Sequence, residues 1–142
     1  MLRDSLNGSK VSSAFDYASR TATANGNIMD MQGFGSAVFV VSLATVTTAD
    51  SSNLFTFTLQ HGDDSSLSDA VTVTAALGLL GSNLVINNAA TQSNMRGQMG
   101  YVGGKRYVRL VATETGTASA AFSADCYQSL PTVQPVGDEA FA

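Results

Sequence analysis

Apolar and polar residues alternate along most of this chain, and a period of two predicts β-strands rather than helices. In Leu54–His61 the side chains of Phe55, Phe57 and Leu59 share one face, and the opposite face is rich in threonine. The same alternation predicts further strands over Ala70–Ala75, Leu84–Asn88 and Ser119–Leu130. About six to eight short strands, separated by turn residues, predict an all-β fold, either an antiparallel β-sandwich or a jelly-roll-like barrel.

One segment, Ser36–Thr48, departs from this pattern because it is apolar on both sides. Phe39 and Val41 lie on one face of the predicted strand, and Val38 and Val40 lie on the other. A strand with two apolar faces is typical of the middle of a sheet that is covered from both sides. The sequence therefore predicts that this strand is central and buried on both faces.

The segment Gly97–Thr113 predicts a β-hairpin. Met99–Val102 is its first strand, and the second, over residues 105–111, places Tyr107, Arg109 and Val111 on one face. Gly103 and Gly104 stand between them, and glycine permits the positive φ angles of a tight turn. We therefore expect the two strands to pair with each other.

The two ends of the chain lack the alternating pattern. Residues 1–27 are polar, so we expect an extended N-terminal arm that becomes ordered on a neighbouring molecule; a floppy terminus is the alternative. Two prolines and two acidic residues in residues 131–142 predict a C-terminal tail, which leaves residues 28–130 as the β-sandwich domain. The candidate interface residues are the large apolar side chains of the arm: Leu2, Leu6, Val11, Phe15 and Tyr17.

The composition favours a subunit of an assembly, with a plain monomer as the alternative. Only 13% of the 142 residues are charged, about half the usual fraction, and small polar residues replace them. Such a surface is easy to desolvate against a partner. The net charge of −4 does not favour nucleic acid, and no apolar run approaches the ~20 residues of a membrane helix. We therefore expect neither nucleic acid nor membrane as a partner.

No motif for catalysis, a metal or a cofactor stands out. His61 precedes Asp63 and Asp64, but neighbours in sequence do not easily adopt the geometry of a catalytic triad. The spacing of the acids that follow, up to Asp69, does not match a calcium-binding loop, and one histidine with one cysteine cannot form a zinc site. Gly103-Gly104-Lys105 lacks the remaining residues of a phosphate-binding loop. The prediction is a protein that is not an enzyme, with no catalytic, cofactor-binding or metal-binding residues.

Four basic residues cluster near the predicted hairpin: Arg96, Lys105, Arg106 and Arg109. With Tyr101 and Tyr107 to stack on bases, they are the residues that a single-stranded nucleic acid needs. The acidic total favours the alternative, in which Arg109 pairs with an acid of its own or a neighbouring subunit.

Three segments of the sequence together resemble the capsid decoration proteins of tailed bacteriophages, also called cement or auxiliary head proteins. The segments are Met31–Val41, Leu59–Asp64 and Gly100–Arg109. The resemblance covers roughly residues 28–130. It implies a structural virion protein on the outer capsid surface, with the major capsid protein and further copies of itself, as a trimer, for partners. A tail, fibre or baseplate component that binds the host is the alternative function, and copy number in the particle distinguishes the two.

Overall fold

The structure, a computed structural model, describes residues 6–131 and is built almost entirely from β-strands. A 3-10 helix, Ala75–Leu77, interrupts them. In chain order the strands are β1 (Ser9–Arg20), β2 (Ala24–Asn25), β3 (Met29–Asp30), β4 (Phe34–Thr48), β5 (Leu54–Gly62), β6 (Val71–Thr72), β7 (Leu79–Leu80), β8 (Leu84–Ile86), β9 (Arg96–Tyr101), β10 (Tyr107–Thr115) and β11 (Ser119–Pro131).

The strands form two antiparallel sheets that pack face to face. The five-stranded sheet has the order β1-β11-β4-β9-β7. In the six-stranded sheet β10 and β5 lie side by side, with β2 and β3 paired to β10 and with β6 and β8 paired to β5. The predicted all-β antiparallel sandwich is therefore confirmed.

Aromatic rings from both sheets meet in the core around Phe122 of β11. Its ring makes edge-to-face contacts with Phe15, Phe55 and Phe57 at centroid distances of 5.6, 5.7 and 5.0 Å. Phe55 and Phe57 come from β5 of the opposite sheet, so these contacts join the two layers. Aromatic pairs in this geometry contribute about 0.5–1.5 kcal/mol each beyond the area they bury.

Residues 9–20, which the sequence placed in an extended arm, form an edge strand of the chain's own sheet. β1 pairs with β11 from Ser9 opposite Ser129 to Arg20 opposite Ala120. The register shifts on both sides of Phe15 and breaks the period of two, which is why alternation does not reveal this strand. Serine and alanine supply most of its remaining positions, so its apolar content is also low.

The predicted hairpin of Met99–Val102 with the following strand is wrong. β9 pairs with β4 in one sheet, and β10 pairs with β5 in the other, so residues 102–106 carry the chain from sheet to sheet. Gly103 serves close packing here rather than a tight turn: a Cβ added to it would lie 2.6 Å from the Leu77 carbonyl oxygen and from the Tyr101 ring.

The predicted division of β10 into two faces is correct. For β4, burial was predicted on both faces, and it is correct for one of them. Val108 and Leu110 of β10 are buried in the core. In β4 Phe39 is buried, but Val38, on the opposite face, remains partly exposed because no layer of the described residues covers the outside of the five-stranded sheet. The expected strand Ala70–Ala75 shortens to β6, Val71–Thr72, and the 3-10 helix begins at Ala75.

Candidate interaction surfaces

A row of mostly apolar positions crosses the outer face of the five-stranded sheet. Val11 of β1 lies opposite Tyr127 of β11, Tyr127 opposite Val38 of β4, Val38 opposite Gly100 of β9, and Gly100 opposite Leu80 of β7. Val11, Tyr127 and Leu80 are 45%, 40% and 52% exposed. We call Val11, Tyr127, Val38 and Leu80 the outer apolar row. At a strand spacing of about 4.8 Å, the row extends about 19 Å across the sheet.

Mostly polar residues flank the outer apolar row on the same face, with Val40 as the apolar exception. On one side, Ser129 lies opposite Ser36 and their hydroxyl oxygens are 2.8 Å apart. On the other side, Asp125 lies opposite Val40, which lies opposite Gln98. An apolar centre with a polar rim is the usual composition of a protein–protein interface.

The five interface candidates predicted from the sequence have different surroundings. Leu6, Val11 and Tyr17 are exposed, and Leu2 lies outside the described residues. Phe15 is only 4% exposed and packs against Phe122, so it belongs to the chain's own core. Of the five, Val11 belongs to the outer apolar row; Tyr127, Val38 and Leu80 were missed. The second apolar face of β4 was the signal in the sequence that could have revealed the row.

Three of the four clustered basic residues have partners within the chain. Lys105 Nζ lies 2.5 Å from Asp63 Oδ2, and Arg106 donates two hydrogen bonds to the Asp30 carboxylate at 3.0 and 2.9 Å. The Arg106 hydrogen bonds are the largest cause of the lowered pKa of Asp30.

Arg109 donates two hydrogen bonds to Gln60 Oε1, at 3.0 and 2.8 Å, so its partner is an amide and not the predicted acid. Gln60 lies directly opposite Arg109 on β5, which explains the pairing. Arg96 has no hydrogen bond or ion pair of its side chain within residues 6–131.

The lone histidine links the two sheets. His61 Nδ1 lies 2.8 Å from the hydroxyl oxygen of Tyr101, and the backbone N–H of Lys105 donates to the same oxygen at 3.2 Å. A neutral imidazole with its proton on Nε2 accepts from the Tyr101 hydroxyl, and one with its proton on Nδ1 donates to it, which leaves the hydroxyl to donate to the Lys105 carbonyl oxygen at 3.5 Å. Burial, and secondarily the charge of Lys105, lowers the pKa of His61. The contact gives His61 a structural partner on the opposite sheet.

The acidic loop after β5 uses its carboxylates to hold its own backbone. Asp69 accepts hydrogen bonds from the backbone N–H groups of Asp63 and Asp64 at 2.8 and 3.2 Å. Among residues 6–131 no three His, Cys, Asp or Glu side chains group closely enough to hold a metal ion. Burial raises the pKa of Cys126 to about 12, so this thiol stays protonated and unreactive at neutral pH.

An apolar pocket of about 180 Å³ opens where β8 and β9 border the sandwich. We call it the edge pocket. Its apolar lining comes from Val41, Leu43, Phe57, Leu84, Ile86 and Met95, and Arg96 also lines it. Gln92 stabilises the loop beside it, because its Oε1 accepts from the backbone N–H groups of Asn87 and Asn88 and its amide donates to the Val85 carbonyl.

No helix within residues 6–131 has the length and apolar character needed to cross a membrane. The sequence matches no protein-family model and no curated protein. Among solved structures, the fold is similar to that of the SPBc2 prophage-derived protein YomS, with a TM-score of 0.52 and 11% identity. The match covers 84% of this chain and 91% of that one, so the two proteins share a fold over most of their lengths.

Proposed function

We propose that this chain is a non-enzymatic structural protein of a tailed-phage virion, which binds the outer surface of the capsid through the outer face of its five-stranded sheet. The observation that carries the proposal is the outer apolar row. A contiguous apolar stripe that the fold leaves uncovered is a common mark of a protein–protein interface.

The chemistry of this face suits a broad, nearly neutral protein surface. Full burial of a valine or leucine side chain stabilises a complex by roughly 1.5–3 kcal/mol, and the half-exposed residues of the row gain a part of that. Of the five flanking positions Asp125 alone carries a charge, so little charge loses water on contact; the other four are Ser36, Ser129, Val40 and Gln98.

Two further observations support a phage role. The sequence segments of β4, β5 and the β9–β10 region resemble those of phage decoration proteins, and a solved structure with a similar fold is prophage-derived. A capsid presents the same site many times, so a modest contact in each subunit gains strength when copies of the chain bind together. The major capsid protein and other copies of this chain, as a trimer, are the proposed partners.

The proposal is tested with capsids that lack the chain. The double variant Val11→Asp with Tyr127→Asp places two charges in the row, and we expect it to co-sediment with these capsids at least about tenfold more weakly than the unmodified protein. Val71→Asp is the control, because Val71 is somewhat more exposed than Val11 and Tyr127 but lies on β6 of the other sheet.

Thermal unfolding must show that each variant is folded before its binding is compared. Equal binding of the double variant and the control would contradict the proposed face. Failure of the unmodified protein to bind capsids, together with binding to isolated tails or to host cells, would favour the tail, fibre or baseplate alternative.

A further inference from the structure

The edge pocket has the size and chemistry to bind one apolar side chain that has an acidic neighbour. A dry apolar cavity of about 150 Å³ accepts a benzene molecule. The pocket, at about 180 Å³, therefore has room for a phenyl ring. Arg96 lines the same pocket and has no side-chain partner within residues 6–131, so a carboxylate there would gain an ion pair.

The border of the pocket also favours an extended segment. β7 pairs with β9 only at Tyr101 and Gly100, so within the described residues the same edge of β9 has no strand partner from Arg96 to Met99. An extended peptide can lie along such an edge and make main-chain hydrogen bonds. Alternate side chains of an extended peptide point the same way. An apolar residue and an acidic residue two positions before it therefore lie on the same side of the peptide.

The sequence supplies one segment with this pattern beyond the described residues. Residues 132–142 contain Glu139 and Phe141, which are two positions apart, so both face the same side of an extended strand. We propose that Phe141 of one copy of this chain occupies the edge pocket of a neighbouring copy, with Glu139 paired to Arg96.

The position of the tail favours a neighbouring copy over the same chain. Pro131 lies opposite Phe34, whereas Arg96, at the pocket, lies opposite Ser42. These eight residues of β4 correspond to about 27 Å along the strand, and β11 runs away from the pocket as it approaches Pro131. Phe141 is ten residues beyond Pro131, a reach of about 33–36 Å when fully extended. To reach the pocket of its own chain, the tail must first reverse direction, and the reversal uses much of that length. A neighbouring copy can present its pocket to the tail without such a reversal.

This inference rests on the proposed association of the chain with other copies of itself and names the contact that joins them. Its experiment needs no capsids, so it can fail while the proposed capsid-binding face stands, and the reverse is equally possible. Analytical ultracentrifugation of the full chain over a range of concentrations should show self-association. Phe141→Ala, Arg96→Glu and Glu139→Arg should each weaken it by roughly tenfold. Asp138→Arg is the matched control, because Asp138 points to the opposite side of an extended tail, and its effect should be much smaller.

Mixing two defective variants gives the decisive result. Arg96→Glu and Glu139→Arg are each self-repelling, but the pocket of either variant is complementary in charge to the tail of the other. An equimolar mixture should therefore regain the association of the unmodified chain. Two results would overturn the inference: no self-association of the unmodified chain, or no recovery of self-association in the mixture.

Discussion

His61 on β5 and Tyr101 on β9 form a buried hydrogen bond of 2.8 Å that joins the two sheets. The Tyr101 hydroxyl also accepts from the backbone N–H of Lys105, in the segment that crosses between the sheets. Lys105 in turn pairs with Asp63 of the acidic loop. We therefore expect loss of the His61 contact to affect the crossing segment as well as the core, and protonation of His61 to lower the stability of the fold.

We expect the free energy of unfolding to fall as pH decreases below about 6.5, the ordinary pKa of histidine. Burial lowers the pKa of His61 in the folded state, so the unfolded chain takes up a proton first and gains stability relative to the folded chain. Lys105 lowers this pKa further, while the charges of Asp63 and Asp69 oppose the shift. The slope for one proton cannot exceed about 1.4 kcal/mol per pH unit.

Denaturant unfolding between pH 5 and pH 7.5 measures this effect, because the carboxylates ordinarily titrate at about pH 4, below this window. His61→Gln serves as the control, since its amide does not titrate. A slope that persists unchanged in His61→Gln would show that another group causes it.

Phe15→Ala should destabilise the chain by about 3–5 kcal/mol, the usual range for a buried phenylalanine. Phe15 packs edge-on against Phe122, and the Arg20 guanidinium lies over both rings at 4.9 and 4.7 Å. Tyr17→Ala is the control, because Tyr17 is exposed on the same strand. Deletion of residues 2–20 should likewise impair folding, as it removes all of β1. Equal stability of Phe15→Ala and Tyr17→Ala would contradict the placement of β1 in the sheet.

Gly103→Ala should destabilise the chain by about 1–3 kcal/mol, because its new Cβ would overlap the Leu77 carbonyl oxygen and the Tyr101 ring. The adjacent Gly104 is a close control, since a Cβ there has no atom within 4 Å. Gly104→Ala should change stability by no more than about 1 kcal/mol. Urea unfolding of the pair distinguishes a crossing between sheets from a tight turn, for which the two glycines would have comparable effects.

Arg109→Ala should lower the free energy of unfolding by about 1–3 kcal/mol, because it removes two hydrogen bonds to Gln60 and leaves that amide oxygen without them. Arg109→Lys retains the charge but not the bidentate donor geometry of the guanidinium, so it should recover only part of the lost free energy of unfolding. A change in salt-dependent DNA binding with stability unaltered would contradict a structural role for Arg109.

The long central strands could be predicted from the sequence because alternation depends only on each strand's own residues. β5 and β11 were predicted within one residue at each end, and the buried face of β10, with Val108 and Leu110, was also correct. The partner of each strand could not be predicted in this way. β9 and β10 are neighbours in sequence but belong to different sheets, since their pairings with β4 and β5 are formed between distant residues.

The outer apolar row illustrates the same limit at the candidate site. Val11, Val38, Tyr127 and Leu80 are far apart in sequence, and only the register of β1, β11, β4, β9 and β7 aligns them. The second apolar face of β4 was visible in the sequence, but it was interpreted as evidence of burial within one chain. Its exposure in the fold is what turns this feature into a candidate interface.

A reconstruction of the phage particle that carries this chain tests the proposed role most directly. The proposal predicts density for the β-sandwich at repeated positions on the outer capsid surface, with Val38 and Tyr127 turned toward the capsid. The copy number should be on the order of hundreds per particle, as expected for a decoration protein. Density confined to the tail, fibres or baseplate, or capsid-bound subunits with the outer face of the five-stranded sheet turned toward solvent, would contradict it.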